Sequence, residues 1–254
     1  MEHLSQSEDH YHFLQSFQTL SKPPHKSCTD TDLCPDLSFQ ATRGHLTRLK
    51  QRVDEIMEEI PEIRMKRMRE HAVDLTLDPD TANYSLVISE DGKQVTVEDK
   101  FKKDKVTDNP KRFHAYRQVL AREGFTTGKF YFEVQVKGKI KWLVGVVRES
   151  VNRKTTIGAS VENGYWIVRL DEGNYKTSAD SEPKILKEEL QKLGVFVDYN
   201  KGEVSFYNVD SKSRIGCITG CGFTEKLYPY FCPQWNYNGR NSAPLIITPV
   251  PQTH

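Results

Sequence analysis

GKFYFEVQVKGKIKWLVGVV, running from Gly128 to Val147, is the stretch on which the fold turns. Phe130, Phe132, Val134 and Val136 fall on one side of an extended chain, and Tyr131, Glu133, Gln135 and Lys137 on the other, the two-residue period of a half-buried strand. Lys137-Gly138-Lys139 turns the chain, and Ile140, Trp142, Val144 and Val146 resume the alternation. The pattern predicts a β-hairpin whose apolar face needs a second sheet to cover it.

Short strand patterns recur on either side of this stretch. Ala115–Leu120, Tyr165–Leu170, Gly194–Tyr199, Glu203–Asn208, Leu227–Cys232 and Pro244–Thr248 have the lengths and spacing of an all-β sandwich. Asp198-Tyr199-Asn200-Lys201-Gly202 predicts a second hairpin, with Gly202 in its turn. Upstream, Val73, Leu75 and Leu77 alternate, as do Tyr84, Leu86 and Ile88 before Asp91-Gly92. Helical periodicity is confined to the part before His71, where Leu46, Leu49, Val53, Ile56, Ile60 and Ile63 follow a three-four rhythm. This predicts an amphipathic helix over residues 43–70, broken near Glu59 by Pro61, which removes a helical hydrogen bond. Such a stripe suits either a helix docked on a neighbouring domain or the end of an oligomerising coiled coil. Residues 1–42, rich in Pro, Ser, Thr and Asp after a short apolar cluster, read as linker, partly disordered or with a short helix.

Composition narrows the function. The chain has 254 residues, 37% hydrophobic and 28% charged, enough to bury a full core. With 36 Lys and Arg against 35 Asp and Glu, no global field draws it to nucleic acid or an anionic membrane. The lysines between Lys100 and Arg112 are interleaved with Asp104 and Asp108 and lack an aromatic stacking series, so a solvated loop is expected there and no nucleic-acid partner. No segment has the run of apolar residues that a membrane span or signal peptide needs, and a cytoplasmic protein is expected. The five cysteines form no CxxC pair, His25, Cys28 and Cys34 lack a fourth ligand, and neither metal nor cofactor is expected. Seven of the eight histidines lie outside the strand-rich part, leaving His114, and no nucleophile elbow or phosphate-cradling glycine loop occurs. A carbohydrate-binding or hydrolytic sandwich remains the rival class. Its only candidate carboxylates, Glu133, Asp198 and Glu203, read as solvated groups.

The motifs then combine. LDPDTA (Leu77–Ala82), LAREGFTTGKFYFEVQV (Leu120–Val136), WLVGVVRESV (Trp142–Val151), NGYWIVRL (Asn163–Leu170), GVFVDYNKGEVSFYNV (Gly194–Val209), LYPYFCP (Leu227–Pro233) and NSAPLIITP (Asn241–Pro249) together resemble a PRY-SPRY, or B30.2, domain. The likeness is strongest to the tripartite-motif proteins, especially their large fish subfamilies, with PRY at about 73–121 and SPRY at about 122–250 within a domain of residues 71–254. Phe132 stands where that family usually has tryptophan. The resemblance implies a two-sheet antiparallel β-sandwich of the concanavalin-like jelly-roll kind, preceded by an α-helical segment. It also implies a protein-interaction module that reads substrates or pathogens for a ubiquitin ligase of innate immunity, and a homodimer through the helical region. The zinc-ligand spacings of a RING and B-boxes are missing, so this chain is not expected to be an enzyme, and any ligase activity would reside in an N-terminal part absent from this sequence.

Specificity in such a domain is expected in its loops, here Ser89–Lys111, Arg148–Val161, Asp171–Ile185 and Pro233–Ser242. Carried over from the antibody-receptor member of the family, the partner-contacting positions fall on Leu143, on Arg169 and Asp171, and on Trp235 and Tyr237. The aromatic and acidic groups that serve antibody binding there are replaced here, so a different protein ligand is expected. Tyr175, Asn236 and Arg240 complete the candidate set, because a Trp-Tyr-Arg loop has the composition of interface hot spots. Trp142 and Trp166 read as core, and Cys217, Cys221 and Cys232 as small core or near-core residues.

Overall fold

A computed structural model describes residues 35–98, 109–156, 158–186 and 188–251. The chain divides into two compact units, Met1–Arg52 and Val53–His254. Helix α1 (Pro35–Glu59) begins inside the expected linker, with about two turns ahead of Arg43 that lack an apolar rhythm. The chain breaks at Ile60, and α2 (Pro61–Arg69) restarts with proline in its first turn, where a missing N–H costs nothing. Glu62 in that first turn and Lys66, Arg67 and Arg69 in the last complement the helix dipole. The stripe Leu46, Leu49, Val53, Ile56 and Ile60 is exposed along its length.

The strands form two antiparallel sheets. The first has seven strands in the order β1 (Leu86–Ile88), β2 (Gln94–Val97), β13 (Leu245–Thr248), β4 (Lys129–Gln135), β9 (Lys192–Asp198), β10 (Glu203–Asn208), β11 (Ser213–Ile218). The second has six, ordered β3 (Val119–Leu120), β12 (Leu227–Cys232), β5 (Lys141–Arg148), β6 (Tyr165–Asp171), β7 (Asn174–Thr177), β8 (Lys184–Ile185). Their inner faces share one core. Phe130, Phe132, Val195 and Val197 on one side meet Trp142, Val144, Trp166, Val168 and Phe231 on the other. Phe132 tilts against Phe231 across the sandwich at 6.0 Å between centroids, so the aromatic that replaces the family's tryptophan still spans both sheets.

The expected hairpin at Gly128–Val147 is corrected. β4 pairs with β13 and β9, and β5 with β12 and β6, so the two strands lie in opposite sheets and the turn between them is a corner. Gly138, at φ 72°, makes the bend. The buried Lys139 then anchors the corner by donating from Nζ to the carbonyl oxygens of Asn241 (3.1 Å) and Ala243 (3.0 Å). Two strands with one apolar face each satisfy burial equally well side by side or face to face, and alternation alone does not choose between the two.

Four further differences concern extent. Ala115–Leu120 is reduced to Val119–Leu120; just before it the Gln118 N–H donates to Tyr116 O within a local turn, and Gln118 O accepts from the Asn83 N–H. Val73–Leu77 forms no strand: it makes an isolated bridge from Leu77 to Ala121, next to one from the preceding Ala72 to Tyr131. Three strands arise where no strand is expected: β11, and β7 and β8 inside the expected Asp171–Ile185 loop. β2 likewise occupies part of the expected Ser89–Lys111 loop, whose residues 99–108 lie outside the described residues, as do His25, Cys28 and Cys34. The β9–β10 hairpin forms as expected, Asp198 facing Glu203 with Gly202 at φ 63°.

Candidate protein-interaction site

The outer face of the six-stranded sheet carries most of the candidate residues. Because inner positions alternate with outer ones, Leu143 on β5 stands directly opposite Arg169 on β6, and Lys141 opposite Asp171. Arg169 and Asp171 are exposed and Leu143 is half-buried beside Cys232 of β12. Asp171 is not a bare carboxylate, since Lys141 Nζ sits 2.7 Å from it and 3.5 Å from Glu172. That hydrogen bond with Asp171 raises the Lys141 pKa above the ordinary lysine value.

Next to this face, residues 233–242 form a tightly held loop. Gln234, Tyr237 and Asn238 have φ of 61°, 51° and 56°, left-handed conformations that side chains other than glycine seldom adopt, and Gly239 follows at 89°. Asn241, only 2% exposed, holds the loop in that shape. Its Oδ1 accepts from the backbone N–H groups of Ile140 (2.9 Å) and Lys141 (3.2 Å). Its Nδ2 donates to the carbonyls of Lys141 (3.0 Å), Pro233 (3.0 Å) and Trp235 (2.8 Å). One amide side chain thus ties both ends of the loop to the start of β5.

On this frame Trp235 is 51% exposed, and the guanidinium of the buried Arg117 stacks on its ring. Lys141 Nζ lies 5.2 Å from the centroid of Tyr237, linking the loop to the Lys141–Asp171 pair. Asn236 and Tyr237 are half-buried and Arg240 is exposed. Trp235 therefore points out of the sandwich, unlike Trp142 and Trp166, which are 0% and 6% exposed.

Tyr175 is a correction to the candidate set. It is 4% exposed and edge-on to Trp142 at 6.2 Å, and burial raises its phenol pKa, so the side chain belongs to the core. β7 forms where a loop is expected, and its inward positions, Tyr175 and Thr177, are both buried. Three residues that position the site, Asn241, Lys139 and Arg117, carry no sequence signal of that role. Asn and Lys in turns are ordinarily solvated, and only the corner between the sheets buries these.

The carboxylates of the rival class are all committed to structural partners. Glu133, expected on a solvent face, is 0% exposed beneath α2. Its Oε1 lies 2.9 Å from Arg69 Nη2 and accepts from Tyr131 Oη at 3.0 Å, and its Oε2 lies 3.4 Å from Lys192 Nζ. Asp198, also buried, accepts from the Lys201 N–H and sits 3.7 Å from Lys129 Nζ. Glu203 accepts from the hydroxyl of Ser205 at 2.7 Å.

Comparison with known proteins agrees with this architecture. The SPRY domain model matches residues 129–246, the SPRY-associated domain model 75–125, and the model of the TRIM protein coiled-coil region 1–59. The chain carries a PRY-SPRY domain. Erythroid membrane-associated protein of Mus musculus is 46% identical over 184 residues, which cover 72% of this chain and 32% of that protein. Human pyrin is 39% identical over 182 residues, 71% of this chain and 23% of pyrin. The chain thus spans about a third or less of the length of these relatives. Among solved structures, the TRIM65 PSpry domain superposes with a TM-score of 0.60 at 17% identity, covering 88% of this chain and all of that one, which shows a shared fold. A PRY-SPRY domain is a protein-interaction module, and among the described residues no helix is long and apolar enough to cross a membrane.

Proposed function

We propose that the PRY-SPRY domain captures a protein ligand on the outer face of its six-stranded sheet, through Trp235, Tyr237 and Arg240 together with Leu143, Arg169 and Asp171. The observation that carries this reading is a half-exposed tryptophan held on a loop that cannot relax, with three left-handed residues and a five-bond asparagine clamp. A rigid aromatic anchor loses little conformational entropy on binding, which is what interface hot spots require.

The reading extends to the whole protein as a recognition subunit of a tripartite-motif ubiquitin ligase in cytoplasmic innate immunity, with ubiquitin transfer supplied by a RING. The match of residues 1–59 to a coiled-coil model and the exposed stripe from Leu46 to Ile60 support homodimerisation through the helix. Light scattering tests the dimer, and a strict monomer at high concentration argues against it. The binding surface is tested by cross-linking the chain in cells, identifying the captured protein, and measuring its affinity for purified wild type and for the Trp235→Ala/Tyr237→Ala variant. Loss of that affinity with an unchanged melting curve is expected, and retained affinity removes this surface from consideration.

A further inference from the structure

The Trp235 loop is tied to the start of β5, and a separate pocket of about 200 Å³ lies at the other end of that strand, beside Arg148. Its apolar lining comes from Val161, Trp166, Phe223 and Leu227. Its charged lining is Arg148, with Glu225.

Two donors at this pocket have no hydrogen-bond partner within the chain. Trp166 is 6% exposed with its Nε1 buried and unpaired, and the Nε of Arg148 is buried and unpaired as well. Buried donors are almost always satisfied, so each marks a place where an acceptor is due. Phe223 stands nearly perpendicular to Trp166 at 4.8 Å between centroids, and a ring face is a weak acceptor for an indole N–H. Arg148 is held by close packing. A Cβ at Gly164 would fall 2.5 to 2.6 Å from its Cγ, Cδ and Nε, so the bare glycine, at φ 83°, is what lets the arginine stem lie across the start of β6. The carboxylate that shares the pocket is committed elsewhere. Glu225 accepts from the Ser150 hydroxyl at 2.8 Å and from the Ser150 N–H at 3.0 Å, and these bonds hold its pKa below the ordinary glutamate value.

Size and chemistry together select the occupant. An apolar enclosure of about 150 Å³ is enough to hold benzene. A pocket of about 200 Å³ therefore takes one ring or one branched chain with a small polar head. Two N–H donors require that head to be an acceptor, and an anionic acceptor gains most from a guanidinium. We infer that this pocket binds a small carboxylate with a single aromatic or branched aliphatic body, the carboxylate taken by Arg148 and Trp166 Nε1 and the body packed against Trp166, Phe223 and Leu227. The site is distinct from the proposed protein-binding surface and does not depend on it.

The test is titration of benzoate and of isovalerate into the isotope-labelled full chain, with NMR detection of the tryptophan indole N–H resonances. Trp166→Phe keeps a ring and removes the donor, which assigns the resonance of interest. That resonance should shift saturably in the millimolar range while those of Trp142 and Trp235 stay in place. Arg148→Leu, which leaves the aromatic wall intact, should weaken benzoate at least ~10-fold, and benzamide, the neutral counterpart of benzoate, should bind wild type weaker by a similar factor. These two comparisons stand without Trp166→Phe, should that core variant fail to fold. A Trp166 resonance that does not move, an equal response to benzamide, or benzoate affinity unchanged in Arg148→Leu overturns the inference. Trp235→Ala/Tyr237→Ala should bind benzoate as wild type does, so failure of the pocket and failure of the protein-binding surface are told apart.

Discussion

The outer face of the seven-stranded sheet is closed by α2, while the outer face of the six-stranded sheet ends in a loop that holds Trp235 in water. Under α2, Met65 and Met68 pack on Tyr131 and Tyr207, and the buried Glu133 gathers Arg69, Lys192 and the Tyr131 hydroxyl. Gly194 belongs to the same arrangement, since a Cβ there would stand 2.6 Å from Tyr131 Oη. Beside Trp235, Asn241 makes five hydrogen bonds and uses them to stiffen an exposed loop. The same device, one buried polar side chain with several partners, seals one surface and presents the other. The difference lies in whether another element covers the result.

The contrast between the two faces breaks most visibly at Glu133. Glu133→Ala leaves Arg69, Lys192 and the Tyr131 hydroxyl without their shared acceptor, and a loss of ~3 to 5 kcal/mol is expected in urea denaturation. A loss below ~1 kcal/mol would show that α2 is held by its methionines alone. Binding to the captured ligand, measured below the unfolding transition, should be unchanged, because the ion cluster and the Trp235 loop lie on opposite sheets.

Asn241→Ala should couple the two properties that Glu133 keeps apart. Removing the clamp leaves buried backbone groups unsatisfied and releases a strained loop, so roughly 2 to 4 kcal/mol of stability and most ligand affinity are expected to go together. Full affinity in this variant would mean that loop rigidity is irrelevant to recognition.

Lys139 sharpens the contrast through pH. Burial pushes its pKa down to about 8 from 10.5, because the ammonium is stripped of its hydrating water. Between those values the unfolded chain holds a proton that the folded chain has released, so this group's penalty is fully present below about pH 8 and is relieved as pH rises toward 10.5. Buried tyrosines such as Tyr165, raised by burial to about 12, act in the opposite direction at the upper end of the range. The Lys139 contribution is therefore isolated as the difference between wild type and Lys139→Met. Wild type should gain on the variant between about pH 7 and about pH 10, and parallel stability curves would remove the buried-ammonium account.

The smallest stability effect is expected where the functional effect is greatest. Trp235→Ala/Tyr237→Ala should change unfolding free energy by about 1 kcal/mol or less, since only the stacking with Arg117 and the contact with Lys141 are lost. A drop approaching that of Glu133→Ala would place Trp235 among the structural residues and erase the contrast between the two faces.

Much of the fold is legible in the residues themselves. The alternation in FYFEVQV and WLVGVV marks which side chains share a face, since successive residues of a strand must point to opposite sides, and the inner residues Phe132, Val134, Val144 and Val146 are all buried as that pattern requires. Pro61 marks the helix break for an equally local reason, and Gly202 the β9–β10 turn. These are properties of the backbone and its nearest neighbours.

What lies beyond the sequence depends on groups far apart along the chain. Glu133 occupies an outward position by alternation, and it is buried only because α2, with Arg69 at 64 residues' remove, lies over it. Tyr175 turns inward because β6 offers β7 a pairing partner, and Trp235 turns outward because Asn241 and β5 hold its loop. The stretch Gly128–Val147 shows the division most clearly. Its residues determine two strands, each with one apolar face, whereas whether those faces lie side by side or meet across a core depends on β9, β12 and β13, which supply the neighbouring strands. Local chemistry sets the direction in which a side chain points, and tertiary structure decides what it meets there.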